Sequence, residues 1–273
     1  MSHDARDVEE FLALADKIAR ERGFGAASYK NGCMRRRIAV RMRARGARDF
    51  PEYGRLLDVD PAEYERLIDA LTINVTKLFR NIDVWRAVER TVLPALWQQP
   101  TAGIACWVAG CASGEEAYTL AALWHRFVMA REATGPLDRV RIIASDIDRA
   151  CLEAAERGAY AAAALAETPP DLRARYFSPD APFTAVPELR SLVRFERRDL
   201  LLDPAPPGGL QLITCRNVII YFDRASQEAL MRRFHDALAP GGFLVLGKVE
   251  TLLGPTRALY EVVDQRQRIF RRQ

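Results

Sequence analysis

Hydrophobic spacing divides the chain into a helical first part and an alternating second part. Over residues 7–80, apolar residues recur three or four positions apart, as on the buried face of an amphipathic helix. The first such stretch contains Val8, Phe11, Leu12, Ala15 and Ile18. A break at Gly23-Phe24-Gly25 separates it from the second stretch, which contains Met34, Ile38 and Met42. The first part is therefore predicted to be all-α.

Helix-start signals divide this part further. Asp49-Phe50-Pro51 predicts one short helix, and Asp60-Pro61-Ala62-Glu63 predicts another that reaches Leu71, because a cap, a proline and an acid follow in order. Residues 74–79 are predicted to connect the two parts, and Asp83 is predicted to cap a helix that ends near Trp97.

From residue 104 onwards, apolar runs of strand length alternate with helical patterns. Strands are predicted at 104–109, 140–145, 192–196, 210–215 and 243–246, with helices at 115–130, 148–157 and 226–239. This order is typical of a parallel sheet with right-handed crossovers. The proline-containing residues 158–190 are predicted to form an inserted lobe, and residues 259–263 and 268–272 an antiparallel edge.

Composition narrows the function classes. The 273 residues carry a formal net charge of +4, and no apolar run reaches the roughly 20 residues that span a bilayer. The N-terminus has no apolar signal core, so we expect a cytoplasmic protein. Five cysteines and three histidines show no metal-type spacing, so no metal site is expected.

The basic residues cluster more than the net charge suggests. Residues 30–48 contain no acid, and the block indicates either an acidic partner or a solvated helix face. Its members are Lys30, Arg35, Arg36, Arg37, Arg41, Arg43, Arg45 and Arg48.

The chemistry concentrates at the turn after the first predicted strand. Gly110 ends that strand, Gly114 opens a helix, and Glu115 and Glu116 lie at the helix N-terminus. Such a turn lets a ligand approach the backbone, but the two glutamates would repel a phosphate. A ligand with a cationic and a hydroxyl-bearing end fits better, and S-adenosylmethionine has both. The alternative is that the glycines are only structural.

Two further segments follow later strands. Asp146 ends the second strand, where an acid typically holds ribose hydroxyls, although it could instead cap the next helix in place of Asp148. Cys215-Arg216-Asn217 follows residues 210–214 and would point into the crevice where open α/β sheets bind ligands.

Four ordered motifs carry a family resemblance over roughly residues 8–270. They are Asn74-Val75-Thr76-Lys77-Leu78-Phe79-Arg80, Ala109–Glu116, Cys215-Arg216-Asn217-Val218-Ile219-Ile220-Tyr221-Phe222, and Gly241-Gly242 with Gly247 and Glu250. In this order they resemble the chemotaxis-receptor glutamate O-methyltransferases, the CheR family. The resemblance implies a small all-α domain (1–82, with the connector) before a Rossmann-like α/β methyltransferase domain (83–273) that carries a small inserted β lobe (158–190).

The resemblance also implies S-adenosylmethionine as cofactor, S-adenosylhomocysteine as product, and a set of site residues. Glu116 or Glu115 would pair with the ammonium of the cofactor, Arg80 and Arg216 would bind the carboxylate of the cofactor as a bidentate fork, and Asp146 would take the ribose. The implied cofactor set is Asn74, Thr76, Arg80, Gly110, Glu115, Glu116, Asp146, Asp199, Leu200, Arg216 and Asn217. Arg80 and Arg216 could instead be salt-bridged surface residues, and Asp199 a turn residue.

The implied reaction is attack of a receptor glutamate on the sulfonium methyl group. Because a glutamate is already ionised at neutral pH, no general base is needed. Arg80, Arg216 and Tyr221 are the candidate catalytic residues, with a core aromatic as the alternative for Tyr221. Acidic receptor helices in a cytoplasmic bundle would be bound by Arg35, Arg36, Arg37, Arg41, Arg43 and Arg45.

Other expectations and alternatives stay open. We expect a monomer that binds no nucleic acid and does not insert into a membrane. The inserted lobe is short for binding a receptor tail peptide, so no tail tether is expected. The rival functions are an RNA or other protein methyltransferase, a cofactor-binding scaffold without turnover, and methylation of a small carboxylic acid.

Overall fold

A computed structural model describes residues 3–22, 31–71, 76–131 and 137–273 of the chain. The fold divides into two compact units, one of residues 1–73 with 221–226 and one of residues 74–220 with 227–273. Within the described residues, no helix is both long enough and apolar enough to cross a membrane.

The described part of residues 1–73 contains four helices. They are α1 (His3–Arg22), α2 (Asn31–Arg45), α3 (Phe50–Val59) and α4 (Pro61–Leu71). Asp49 accepts a hydrogen bond from the Glu52 N–H at 2.7 Å, and Asp60 accepts one from the Glu63 N–H at 3.0 Å. Both predicted helix starts are therefore confirmed, since each cap satisfies an N–H group that the helix itself leaves unpaired.

Helix α1 packs on α3 and α2 packs on α4. The buried face of α1 contains Phe11, Ala15 and Ile18, as the spacing predicts, whereas Val8 and Leu12 are exposed. The prediction was wrong for these two because the buried stripe runs through Leu14 instead. The α2 stripe of Met34, Ile38 and Met42 is buried as predicted.

A buried ion pair joins three of the four helices. The Glu63 side chain on α4 is 0 % exposed. Its carboxylate accepts two hydrogen bonds from Arg41 on α2, one of them at 3.0 Å, and a third from the Tyr53 hydroxyl on α3 at 2.7 Å. Burial alone would raise the pKa of Glu63, but the hydrogen bonds from Arg41 and Tyr53 outweigh it and hold the pKa below its usual value.

The second unit begins with a continuous helical stretch. It runs through α5 (Ile82–Ala87), a π-helical turn (Val88–Val92) and α6 (Leu93–Trp97). The residue before α5 is Asn81, and Asp83 lies inside the first turn. The predicted cap at Asp83 was therefore wrong. The π-helical turn comes just before Pro94, which has no N–H to donate to a helical carbonyl.

Strands and helices then alternate. The helices are α7 (Glu115–Met129), α8 (Arg149–Arg157), α9 (Pro170–Tyr176), α10 (Pro187–Arg190) and α11 (Arg224–Ala237). The strands are β1 (Ile104–Ala109), β2 (Val140–Asp146), β3 (Ala159–Tyr160), β4 (Phe183–Thr184), β5 (Val193–Arg197), β6 (Leu210–Cys215), β7 (Leu238–Leu246), β8 (Tyr260–Asp264) and β9 (Ile269–Arg272).

Seven of these strands form one sheet in the order β5-β2-β1-β6-β7-β9-β8. The first five are mutually parallel, and β9 and β8 add an antiparallel edge. All residues of β1 and β6 are buried, as expected of central strands covered on both faces. Strand β7 begins five residues before the predicted start at 243, because its pairing with β6 includes Leu238.

The inserted lobe contains little sheet. Strands β3 and β4 pair antiparallel over two residues each, and α9 and α10 lie in the same segment. The lobe is tied to the rest of the unit through buried groups, since the Tyr176 hydroxyl lies 3.0 Å from Nδ1 of His125 on α7.

We predict that Arg41→Ala lowers the free energy of unfolding of the helical unit by about 3 kcal/mol, because the buried Glu63 carboxylate loses both hydrogen bonds from a guanidinium and keeps only the longer ion pairs with Arg45 and Arg66, at 3.8 and 4.0 Å. Urea unfolding at neutral pH measures this change. Arg43→Ala is the matched control, since Arg43 is exposed on the same helix, and it should change stability by less than about 0.5 kcal/mol.

The sign of the pH dependence follows from the lowered pKa of Glu63. The pair contributes stability above the ordinary carboxyl pKa, and this contribution is lost as the pH falls. Equal stability of the Arg41→Ala and Arg43→Ala variants at neutral pH would contradict the role of the pair.

Candidate functional site

The turn between β1 and α7 can be formed only with glycine at two positions. Gly110 and Gly114 have φ values of 79° and 89°, in the left-handed region. A Cβ atom on Gly110 would lie 2.5 Å from a methyl carbon of Val218, and one on Gly114 would lie 2.8 Å from the Cβ of Ala155. The glycines therefore allow the loop that carries Val218 and the helix α8 to touch the turn.

Asp146, at the end of β2, holds this turn in place. Its carboxylate accepts hydrogen bonds from the Ala112 N–H at 2.8 Å and from the Asp148 N–H at 3.0 Å. Burial raises the pKa of Asp146, and these two N–H groups oppose the rise. The helix α8 is capped by Asp148, which accepts from the Cys151 N–H at 3.1 Å. Asp146 is thus not needed as the helix cap.

Glu115 and Glu116 have different environments. Glu115 is buried and accepts hydrogen bonds from the Ser113 hydroxyl at 2.8 and 3.0 Å, so it acts within the turn. Glu116 accepts from the Thr214 hydroxyl at 2.7 Å and from Arg216 at 3.1 Å, both on the β6 side. Each Glu116 oxygen keeps a lone pair, so the carboxylate can still accept from a ligand ammonium.

Arg216 is buried rather than a surface residue, with a side chain only 1 % exposed. Besides its bond to Glu116, it donates to the Arg80 carbonyl at 2.8 Å and to the Asn81 side-chain oxygen at 3.2 Å. Its guanidinium carbon lies 4.8 Å from the centre of the Trp85 ring. Nε of Arg216 is buried and has no hydrogen-bond partner among the described residues, which leaves a donor for a ligand.

The connector that precedes α5 is held in a strained form next to Arg80. Phe79 and Asn81 both have positive φ values, 55° and 59°, which non-glycine residues rarely adopt. The Phe79 N–H donates to Thr119 on α7 at 2.9 Å, and this bond fixes the connector against the turn helix. Thr76 and Arg80 are half-buried, whereas Asn74 lies outside the described residues.

Asp199 and Leu200 lie in the loop after β5. The Asp199 carboxylate accepts from the Leu201 and Leu202 N–H groups at 2.7 and 3.2 Å, which is the turn role that the sequence left open. Leu200 is buried. Arg233 on α11 donates to the carbonyls of Leu200 and Leu201 at 2.6 and 2.9 Å and so anchors the loop. No sequence pattern pointed to Arg233.

A second residue that sequence reasoning missed as part of this site is Glu250, although it belongs to the fourth motif. Glu250 follows β7, is buried, and accepts backbone hydrogen bonds from the loop that carries Arg216 and Asn217. Asn217 has a φ of 61°, and its side-chain oxygen is buried with no partner in the described part of the chain.

Hydrogen bonds therefore join Glu116, Arg216 and the Arg80 carbonyl near the carboxyl end of β6. Asp146 instead binds N–H groups of the turn after β1 and of the loop after β2, whereas Glu115 and Asp199 bond within the loops that follow β1 and β5. Tyr221 is half-buried at the end of a short 3-10 turn and belongs to the other unit, so its role stays a prediction. Among the described residues, no group of three or more His, Cys, Asp or Glu side chains could hold a metal ion.

The α2 arginines fall into two groups. Arg41 binds Glu63, Arg45 binds Asp60 at 2.7 Å, and Arg37 donates to the Ala70 carbonyl at 2.7 Å. Arg35 pairs with Asp7 and lies over the Phe11 ring. These four arginines therefore hold the helical unit together. Arg36 and Arg43 are exposed, and within the described ranges neither side chain has a recorded partner.

The site fits S-adenosylmethionine. It offers carboxylates for an ammonium and for hydroxyl groups, a buried arginine donor for a carboxylate, and glycines where a ligand approaches the backbone. Together with the seven-stranded sheet, these features define a Rossmann-like methyltransferase that depends on S-adenosylmethionine.

Comparison with known proteins gives the family. Residues 74–269 match the CheR methyltransferase S-adenosylmethionine-binding domain, and residues 9–72 match the CheR methyltransferase all-alpha domain. The chain belongs to the CheR methyltransferase family. The expected fold, enzyme class and cofactor are thereby confirmed.

Three relatives illustrate the range of the family. A chemotaxis protein methyltransferase of Listeria innocua is 32% identical over 91% of this chain and 93% of its own length. Chemotaxis protein methyltransferase 2 of Pseudomonas aeruginosa is 33% identical, covering 90% of this chain and 87% of that protein. An uncharacterized 104.1 kDa protein of Rhodobacter capsulatus is 37% identical over 96% of this chain, which spans only 27% of its length.

We predict that Asp146→Asn weakens binding of S-adenosylhomocysteine about 10- to 100-fold, because charge-assisted hydrogen bonds are replaced by weaker ones. Titration calorimetry on the purified protein measures the dissociation constant. Glu153→Gln is the matched control, since Glu153 is exposed on α8 near the same strand end. An unchanged dissociation constant for folded Asp146→Asn would remove Asp146 from the ligand site.

Proposed function

We propose that this protein transfers the methyl group of S-adenosylmethionine to glutamate side chains on helices of a chemoreceptor, giving methyl esters. Relatives named chemotaxis protein methyltransferase support the pathway. The observation that carries the chemistry is the buried guanidinium of Arg216, which binds Glu116 next to the Gly-rich turn. Its Nε has no hydrogen-bond partner among the described residues.

The residues of this chain would hold the cofactor from several sides. Glu116 would receive the ammonium, Asp146 would receive the ribose hydroxyls, and Leu200 would pack on the adenine beside Asp199. Asn74, Thr76 and Arg80 would close the site from the connector. When bound, the cofactor supplies an electrophilic methyl group on a sulfonium.

No general base is needed for this reaction. A substrate glutamate has a pKa of about 4.3 in water and is ionised at neutral pH. The enzyme must align the carboxylate with the methyl group and keep water out. Arg216, and with it Arg80 and Tyr221, would orient the carboxylate through hydrogen bonds.

The exposed face of α2 supports a helical, acidic substrate. Arg36 and Arg43 are seven residues apart, which places them on one side of the helix about 10.5 Å apart. Val40 lies between them and is 51% exposed. An acidic helix that crosses this face would meet two cations and an apolar contact, and the charges would also steer its approach.

The test is methyl transfer to purified receptor cytoplasmic fragments with S-adenosylmethionine labelled in its methyl group. We expect label that enters the receptor and is released as methanol by mild base, as a glutamate methyl ester requires. Label that is stable to base, or label in RNA, would replace the proposal with another substrate. Tight cofactor binding without transfer to any fragment would favour a scaffold.

A second arm of the same experiment tests the inserted lobe. Because β3 and β4 offer only two paired residues each, we propose that no receptor tail is needed. Fragments with and without their C-terminal tails should therefore be methylated at equal rates.

We predict that the double variant Arg36→Glu/Arg43→Glu lowers kcat/KM for the receptor fragment at least about tenfold in low salt, because it reverses the steering charge. The difference from the wild type should shrink at high salt. The dissociation constant for S-adenosylhomocysteine should not change.

Arg194→Glu is the control for this variant, since Arg194 is exposed on β5 in the other unit. Arg41→Glu is unsuitable as a test, because Arg41 holds the buried Glu63. Wild-type rates for the double variant in low salt would rule out the α2 face as the docking surface.

A further inference from the structure

Glu250 is a buried carboxylate with an unusual set of partners. It is 3% exposed. One carboxylate oxygen accepts from the N–H groups of Ile219 and Ile220 at 2.8 and 3.3 Å. The other accepts from the N–H groups of Asn217 and Gly247 at 2.9 and 2.7 Å. All of its hydrogen bonds in the described structure therefore come from the backbone.

These bonds join two loops at the carboxyl edge of the sheet. Residues 216–220 follow β6, and residues 247–250 follow β7. A Cβ atom on Gly247 would lie 2.6 Å from the Glu250 carboxylate and 2.9 Å from the Asn217 nitrogen, so the two loops are in direct contact.

The first of these loops also reaches the ligand turn. A methyl group of Val218 occupies the position where a side chain on Gly110 would lie. On either side of Val218, the backbone N–H groups of Asn217 and Ile219 are bound to Glu250. Glu250 therefore fixes the loop segment that touches the Gly-rich turn, although it does not itself touch that turn.

The arrangement is energetically costly. A buried charge is normally paired with an opposite charge, but no Lys or Arg of the described residues forms an ion pair with Glu250. Burial raises the pKa of Glu250, and the four backbone N–H groups oppose the rise. An apolar side chain would avoid the cost of the charge but would leave these four backbone N–H groups unpaired, so the carboxylate has a use in holding this backbone.

We propose that Glu250 is a positioning residue that sets Arg216 and Asn217 for the cofactor by holding the backbone of their loop. Asn217 has a positive φ, which a loop without these hydrogen bonds would not maintain. The Arg216 side chain starts from the same backbone and spans from Glu116 to the Arg80 carbonyl. A loose loop would let both side chains leave the ligand position.

The ionised carboxylate is essential to this role. It provides two oxygens, and each accepts two N–H groups. A glutamine has the same shape but provides one oxygen and one NH2 group, which would face N–H donors. The exchange leaves buried backbone donors unpaired, with no change in side-chain volume.

The experiment compares Glu250→Gln with wild type at a temperature well below the unfolding midpoint of both. We expect the dissociation constant for S-adenosylhomocysteine to rise at least about tenfold, measured by calorimetry. Near-ultraviolet circular dichroism should remain that of the folded wild type. Glu261→Gln on the exposed edge strand β8 is the control and should bind as wild type does.

A merely structural role would lower the unfolding midpoint and leave the affinity of the folded variant unchanged, and that result would overturn the proposal. If Glu250→Gln does not fold, the Glu250→Asp variant tests the same role, since it keeps the charge but shortens the side chain. It should bind the ligand several-fold more weakly than wild type, and wild-type affinity would refute the assignment.

Hydrogen exchange of the ligand-free wild type gives an independent test. The amides of Asn217, Ile219 and Ile220 should be protected before any ligand is added, because Glu250 already binds them. Exchange at unprotected rates would overturn the proposal. Calorimetry and hydrogen exchange do not require the receptor. Failure of the Glu250 proposal can therefore be distinguished from failure of the proposed receptor substrate.

Discussion

Backbone N–H groups at the carboxyl edge of the sheet must find acceptors, and two acidic side chains supply them. Asp146 binds the turn after β1, and Glu250 binds the loops after β6 and β7. Irregular backbone cannot be buried without such partners. The ligand loops therefore keep their shape without ligand, which reduces the entropy that binding would otherwise cost.

The Glu116–Arg216 pair links these loops to the chain before the sheet. Arg216 is buried between Glu116 on α7, the Arg80 carbonyl of the connector, and the ring of Trp85 on α5. One side chain thus couples the turn helix, the end of β6 and the strained connector. A change at any one of the three would move the others, because a buried guanidinium has few alternative partners.

In the helical unit, some arginines of α2 stabilise the fold and others remain exposed to a binding partner. A block of like charges on one helix would normally repel itself, yet Arg41 and Arg45 are neutralised by acids of the α3–α4 region. What remains outward is a narrow face with Arg36, Val40 and Arg43. The residues that hold the unit and the residues that could meet a partner are therefore different members of one basic block.

The sequence by itself determined the order of elements, the Gly-rich turn and the family, because local spacing, caps and short motifs record them. Asp49, Asp60 and Asp148 are caps that act on their own helices, so they were readable without a fold. Glu63, Arg233 and Glu250 could not be assigned their roles this way, since their partners lie far away in sequence. Glu63 reads as a first-turn acid, yet packing buries it against Arg41. Asp146 and Arg216 were found as candidates, but only the tertiary structure decided which backbone and side-chain groups they bind, because those groups meet only when the parallel strands bring their ends to one edge.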